Sequence, residues 1–275
     1  MTASSPGISV VIRTKDSAKT LGSVIERLGL DDRDQLIIVD SGSKDATLSI
    51  AAKHRATVVV ADVPFDYSKT LNLGFASAGN PWVLVLSSHC IPVSARYLDD
   101  LRDAILSFPG EVVVAYGSVH LVPQKASIAR RKPVCYLTPT DWLQNRTLVG
   151  GNGNALYRRT AWERHNFKLL VHQTAEDLEW FLWAMSNGCT VALVPAAAVL
   201  SRNQGSLRHM FQKGIDESRV LKDVLGARKL PFSRFCIGIA SGLRHLVLMR
   251  ISIGAFLRES AKQYGTYRGL SHADK

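Results

Sequence analysis

The sequence predicts an α/β fold: a mostly parallel sheet flanked by helices, closed by a basic helical tail. Three observations carry this. Short runs of nearly continuous β-branched residues recur in the first half, the pattern of strands buried on both faces. Stretches with helical spacing separate them, giving right-handed βαβ units. At 46% apolar and 21% charged over 275 residues, the chain has the balance of a globular protein with a sizeable core, which excludes disordered and low-complexity classes.

The elements follow in order. Residues 8–12, 36–39, 57–60, 82–86 and 112–115 read as strands, and 18–28, 44–54, 68–78 and 95–106 as helices. Residues 120–150 are loop-rich, and a Gly-Gly-Asn-Gly-Asn turn at 150–154 leads into a short strand at 155–157. A helix at 175–186, a strand at 190–194 and helices at 206–226 and 232–263 complete the chain. No repeat or flexible linker interrupts it. The expected organisation is two halves of one domain, 1–120 and 121–230, followed by a tail at 231–275.

The net charge of +11 is concentrated at the end. Residues 201–275 hold 14 basic and 5 acidic residues, a net of +9, against 20 and 18 in residues 1–200. Such a surface attracts polyanions, an anionic membrane surface among them. Arg234, Arg244, Arg250, Arg258 and Lys262 lie interleaved with apolar residues, as in an interfacial helix. No nucleic-acid motif accompanies the charge, so nucleic acid is not expected as a partner. The N-terminus lacks the pattern of a signal peptide, no run spans a bilayer, and Cys90, Cys135, Cys189 and Cys236 are too scattered for a zinc or disulfide framework. A cytoplasmic protein, peripheral at the inner membrane face, is expected.

In parallel sheets ligands bind beyond the carboxyl ends of the strands. That directs attention to residues 13–16, 40–45 and 87–90. In Val39-Asp-Ser-Gly-Ser-Lys-Asp-Ala-Thr47 an acid ends a strand before a glycine turn. Ser43 is expected to cap the next helix and Asp45 to favour its dipole. Asp40 is left facing the crevice, able to accept hydrogen bonds from a base or ribose.

These residues resemble those of family 2 glycosyltransferases with the GT-A (Rossmann-like) fold. The resemblance rests on Ser9-Val-Val-Ile-Arg-Thr-Lys-Asp16, on the segment around Asp40, on Phe65-Asp-Tyr-Ser-Lys-Thr-Leu-Asn-Leu-Gly74, and on Glu176-Asp-Leu-Glu-Trp180. It covers about residues 8–215. It implies transfer of a sugar from a nucleoside diphosphate donor to a hydroxyl of a glycan or lipid-linked acceptor, with inversion, in cell-surface polysaccharide or other glycan assembly. It further implies that Asp40 contacts the base, with Ser41 beside it. Thr14, Asp16 and Lys69 would line the nucleotide pocket, Asn72 would lie near the base, and Asp177 would be the general base, with Glu176 and Trp180 on the acceptor side.

Asp177 also has a capping reading with Thr174. Leu178, Phe181, Leu182 and Met185 form a stripe that turns Glu176 to water and leaves Asp177 at its flank. Asn152 and Asn154 in the glycine turn could bond acceptor hydroxyls, or simply belong to a tight turn. Trp142, Trp162, Trp180 and Trp183 read as core or as sugar platforms.

Two departures from the family pattern concern the metal. Where the family has Asp-x-Asp, which binds Mg²⁺ or Mn²⁺, this chain reads Leu86-Ser-Ser-His-Cys90, so Ser87 and His89 replace the acids. Arg202 stands about where a later histidine is normally found. A hard cation prefers carboxylate oxygen. Either His89 is a lone ligand to Mg²⁺ or Mn²⁺, or Arg202, with Arg208 or Lys213, offsets the diphosphate charge directly. A sugar-nucleotide or glycan binding protein without catalysis is the alternative reading.

Overall fold

The computed structural model describes residues 5–61, 66–121, 123–130, 132–141, 151–169, 176–201, 206–225 and 253–271. They form two compact units. One comprises the described residues up to 169 with 176–201, and the other those of 206–225 and 253–271.

The first unit is a three-layer α/β structure. Its strands are β1 (Ile8–Thr14), β2 (Gln35–Asp40), β3 (Thr57–Val60), β4 (Trp82–Ser87), β5 (Cys90–Pro92), β6 (Val112–His120), β7 (Cys135–Leu137), β8 (Asn154–Arg158) and β9 (Thr190–Ser201). They join in the order β3-β2-β1-β4-β8-β6-β9-β5, with β7 on β9. The first four strands are parallel. In the second half β8 runs antiparallel to both β4 and β6, while β9 is parallel to β6. The helices of this unit are α1 (Leu21–Leu28), α2 (Thr47–Lys53), α3 (Tyr67–Ala76), α4 (Tyr97–Ser107), α5 (Pro123–Ala129), α6 (Arg159–Arg164) and α7 (Glu176–Ser186).

Strand alternation divides the core. Ile8, Val10 and Ile12 of β1 join Leu84 and Leu86 of β4 under α1 and α4, where Leu21, Val24, Leu28, Leu98 and Leu101 are buried. Val11, Ile37, Val39, Val83 and Val85 face the other way, onto Leu71 and Phe75 of α3 and Trp180 and Phe181 of α7. Both sheet faces are covered, which is why these strands carry so few polar residues.

Three expectations are corrected. The strand at 57–60 is an edge strand, with Val58 and Val60 exposed, not a strand buried on both faces. Ser43 does not cap α2, which begins at Thr47: Asp45 accepts from the Thr47 amide (3.0 Å), while Ser43 turns to Asp40. Glu176 does not face water. It is 5% exposed because α7 is packed on more than its apolar stripe, with Glu179, Trp180 and Ala184 buried as well.

In the second unit α8 (Leu207–Leu225) packs on α9 (Ile253–Ser271). Two glycines permit the close crossing: a Cβ on Gly214 would stand 2.1 Å from the Lys262 carbonyl oxygen, and one on Gly265 2.1 Å from that of Phe211. Among the described residues no helix is long and apolar enough to cross a membrane.

Candidate active site

Registry places the key residues side by side at the carboxyl ends of the strands. Thr14 lies opposite Asp40 on the β1–β2 ladder, and Arg13 opposite Ser87 on the β1–β4 ladder. A cavity of about 230 Å³ opens there, lined by Arg13, Thr14, Lys15, Ser17, Tyr67, Ser87, Ser88 and His89.

The loops after β1 and β2 are laced into one wall. Asp40 is at its centre and is 2% exposed. Its Oδ1 accepts from Thr14 Oγ1 (2.9 Å) and Ser43 Oγ (2.5 Å), and its Oδ2 from the amides of Gly42 (3.0 Å) and Ser43 (2.9 Å). Gly42 makes this turn possible, at a φ of 80° that a side chain would strain. Burial pushes the Asp40 carboxyl up, but the hydrogen bonds from Ser43, Thr14 and Gly42 outweigh it and hold the group below its ordinary value. Asp16, itself at φ 47°, donates its amide to Ser43 Oγ (2.8 Å) and accepts from the Lys44 amide (2.7 Å). Lys15 Nζ donates to the Ser41 carbonyl (2.8 Å), and among the described residues the buried Ser41 Oγ has no hydrogen-bond partner.

On the β4 side His89 is partly buried. Burial and then the Arg13 charge lower its pKa, so the imidazole is neutral at pH 7. The Ser87 amide donates to the Gly153 carbonyl (3.2 Å), which ties this end of β4 to the glycine turn.

That turn leads to the two acids of α7. Asn152 donates its side-chain amide to Glu176 Oε1 (3.0 Å) and its backbone amide to Asp177 Oδ2 (3.3 Å), while Tyr157 donates to Asn152 Oδ1 (2.7 Å). Arg13 Nη1 stands 3.5 Å from Glu176 Oε1. Burial raises the Glu176 pKa, and the neighbouring Asp177 charge adds to this; Arg13 and Asn152 lower it only in part. Asp177 is half-buried, with Oδ1 accepting from the Leu178 amide (2.8 Å).

The structure thus gathers Thr14, Ser87 and His89 around one cavity, sets Asp40 and Ser41 in its wall, and brings Glu176, Asp177 and Asn152 to the same end of the sheet through Arg13. Lys69 is exposed on the first turn of α3, whose Tyr67 lines the cavity, and Asp16 is exposed in the loop wall. Three other candidates are committed to the framework. Asn154 is 1% exposed, accepts from Tyr97 Oη (2.6 Å) and donates to the Ala197 carbonyl (2.8 Å). Asn72 accepts from Trp162 Nε1 (3.0 Å) and the Phe167 amide (3.1 Å), and donates to the Phe167 carbonyl (2.8 Å). Trp180 is wholly buried, its Nε1 donating to the His165 carbonyl (2.8 Å). Trp162 is core, and Trp183 stacks on His165 with ring centroids 4.5 Å apart.

Arg202, Thr174, Trp142, Arg234, Arg244 and Arg250 lie outside the described residues, as does the side chain of Lys213. Arg208 is an exposed residue of α8 in the other unit. Sequence reasoning singled out residues 13–16 but gave Arg13 and Lys15 no role of their own, and it gave none to Tyr67. The available signal was Arg13 itself, a cation closing an otherwise apolar strand.

Residues 9–165, more than half of the chain, match the sequence profile described as Glycosyl transferase family 2. The chain belongs to that family. Solved structures of like fold include the mannosyltransferase PcManGT from Pyrobaculum calidifontis, in complex with GDP-Man and Mn²⁺ (TM-score 0.64, 14% identity, 98% of this chain and 88% of that one). Another is glucosyl-3-phosphoglycerate synthase from Mycobacterium tuberculosis, in complex with Mn²⁺, UDP and glucosyl-3-phosphoglycerate (TM-score 0.55, 18% identity, 80% and 79%). A TPR repeat-containing protein of Synechococcus elongatus is 32% identical over 81 residues, which are 30% of this chain and only 20% of that protein.

Two hydroxyls and a neutral imidazole stand at the end of β4, beside an arginine. Among the described residues no three His, Cys, Asp or Glu side chains gather as a metal site. Mg²⁺ and Mn²⁺ favour carboxylate and water oxygens, and the described residues lining this cavity do not fit them.

Proposed function

We propose that this family 2 chain transfers a sugar, with inversion, from a nucleoside diphosphate donor to a hydroxyl of a glycan or lipid-linked acceptor. The cell-surface polysaccharide or related glycan pathway at the cytoplasmic membrane face is the proposed setting. The observation that carries the reading is the short connection between the cationic cavity and Asp177, through Gly153, Asn152 and the Arg13–Glu176 pair. Two groups that must face one reaction centre belong to one network.

Residues 1–120 supply the donor side and 121–230 the acceptor side. The neighbours whose complexes contain GDP-Man or UDP support a nucleoside diphosphate donor. Thr14, Ser41, Ser87 and His89 offer polar contacts to the nucleotide, with Asp16 and Lys69 at its margin, and Asp40 keeps the pocket wall in shape for the base. Asp177 takes the proton of the acceptor hydroxyl as its oxygen attacks the anomeric carbon. The bond from that carbon to the diphosphate oxygen breaks on the opposite face, and the nucleoside diphosphate leaves with the electron pair. Asn152 and Glu176 hold Asp177 in place.

Replacing Asp177 by Asn keeps the size and the hydrogen-bonding oxygen but removes the base. Sugar transfer is expected to fall by a factor of about 10²–10⁴, with nucleoside diphosphate affinity unchanged, in paired turnover and calorimetric measurements. Equal turnover in the variant overturns Asp177 as base. The absence of acids at Ser87 and His89 favours a second reading, a sugar-nucleotide binding protein without turnover. Tight donor binding with no transfer or hydrolysis by the unaltered chain would establish it.

A further inference from the structure

We propose that Arg13 supplies the positive charge that holds the donor diphosphate, so that nucleotide binding needs no divalent cation. This rests on the donor reading above and deepens it. The cavity at the ends of β1 and β4 is lined by two cations, Arg13 and Lys15, and among the described lining residues there is no carboxylate. A diphosphate brings two or more negative charges into that space, and something must offset them. His89 is neutral, and Lys15 already spends a donor on the Ser41 carbonyl.

Arg13 is held differently. Its guanidinium lies 4.9 Å from the Tyr67 ring centroid, stacked as a cation on an aromatic face, and 3.5 Å from Glu176. Among the described residues its Nη1 is buried without a hydrogen-bond partner. An arginine has five N–H donors in a planar fork that matches phosphate oxygens. A buried Nη1 left without a hydrogen bond is costly in the free protein. It is kept in place by a ring that offers no hydrogen bond and by one carboxylate at long range. Glu176 is a positioning residue here: it holds the charge at the cavity without filling the fork, and a phosphate competes with it easily. The register that puts Arg13 beside Ser87 sets this cation against β4, where Ser87 and His89 offer no acid to a metal.

Binding of UDP and GDP is compared by calorimetry with binding of uridine and guanosine, in excess EDTA and in Mn²⁺. The unaltered chain, Arg13→Lys and the charge-balanced pair Arg13→Met with Glu176→Gln are used. The inference expects the unaltered chain to bind its preferred diphosphate in EDTA nearly as well as in Mn²⁺. The charge-balanced variant should lose about tenfold or more of that affinity, the loss of a charge-assisted hydrogen bond, with nucleoside affinity unchanged. Arg13→Lys, which keeps the charge but not the fork, should fall between, and it decides the matter if the double variant does not fold. Loss of diphosphate binding in EDTA overturns the inference and leaves the donor reading intact. So does undiminished diphosphate affinity in whichever of these variants is folded. Failure to bind any nucleoside diphosphate in either condition removes the donor reading, and this inference with it.

Discussion

Asp40 illustrates how a residue can be found in a sequence while part of its work comes to light only in the fold. Its place at the end of a strand, before a glycine turn, marks it as belonging to the site. A carboxylate has about four lone-pair positions, and here four donors fill them, from Thr14, Gly42 and Ser43. It organises the loop wall from within. The sequence could not reveal this, because Thr14 comes within reach only through the β1–β2 register. The role of Arg13 stayed hidden for the same reason: its neighbours across β4 and α7 are fixed by pairing, not by spacing.

The Asp40 arrangement has a pH signature. Its folded pKa is depressed, so its contribution to stability is complete above the ordinary carboxylate value near ~3.9 and is lost as pH falls through the lower folded value. Asp40→Asn places an amide donor where donors already converge. It is expected to cost about 1–3 kcal/mol at neutral pH, read from chemical denaturation. The gap between variant and unaltered chain should narrow as pH drops below ~4. A gap that stays constant to pH ~2 contradicts the ionised, fourfold-bonded carboxylate.

At the scale of elements, the buried parallel strands were the most legible feature. Continuous Val and Ile runs have few other uses, and β1, β2 and β4 lie where the runs place them. The short strands β5 and β7 and the helices α5 and α6 were not found, because three to seven residues carry no period to read. For α7 the period misled. A stripe reading assumes one wet face, and α7 buries Glu176 and Glu179 as well as its apolar residues. The packing of α3 makes a sharper claim. A Cβ on Gly74 would stand 2.4 Å from Val11 Cγ1 and 3.2 Å from Val39 Cγ2. Alanine favours a helix over glycine by about 1 kcal/mol, so on propensity alone Gly74→Ala would stabilise. Val11 is fully buried in a central strand and has no room to retreat, so overpacking prevails. A net loss of about 1–2 kcal/mol is expected, seen as a lower denaturation midpoint with unchanged slope. A gain in stability would mean that α3 stands farther from the sheet.

Over the whole molecule, charge is divided unequally, and that was legible from composition alone. A net +9 in residues 201–275 against +2 in the rest is a strong asymmetry for one chain. Dispersed surface charge would need no partner, but a concentrated excess raises the local affinity for an anionic surface by roughly 1 kcal/mol for each basic residue that reaches it. On α8, Arg208 and Arg219 are both exposed, and residues eleven apart return to nearly the same helix face. The full chain should therefore pellet with vesicles containing phosphatidylglycerol at low salt and be released near ~0.5 M salt, where the Debye length shrinks to a few ångströms. Vesicles of phosphatidylcholine alone should leave it in solution. Arg208→Gln with Arg219→Gln should weaken the anionic partition by about thirtyfold without altering nucleotide affinity. Binding that survives high salt, or that ignores lipid charge, would assign the attraction to apolar contacts and leave the basic excess as an ordinary solvated surface.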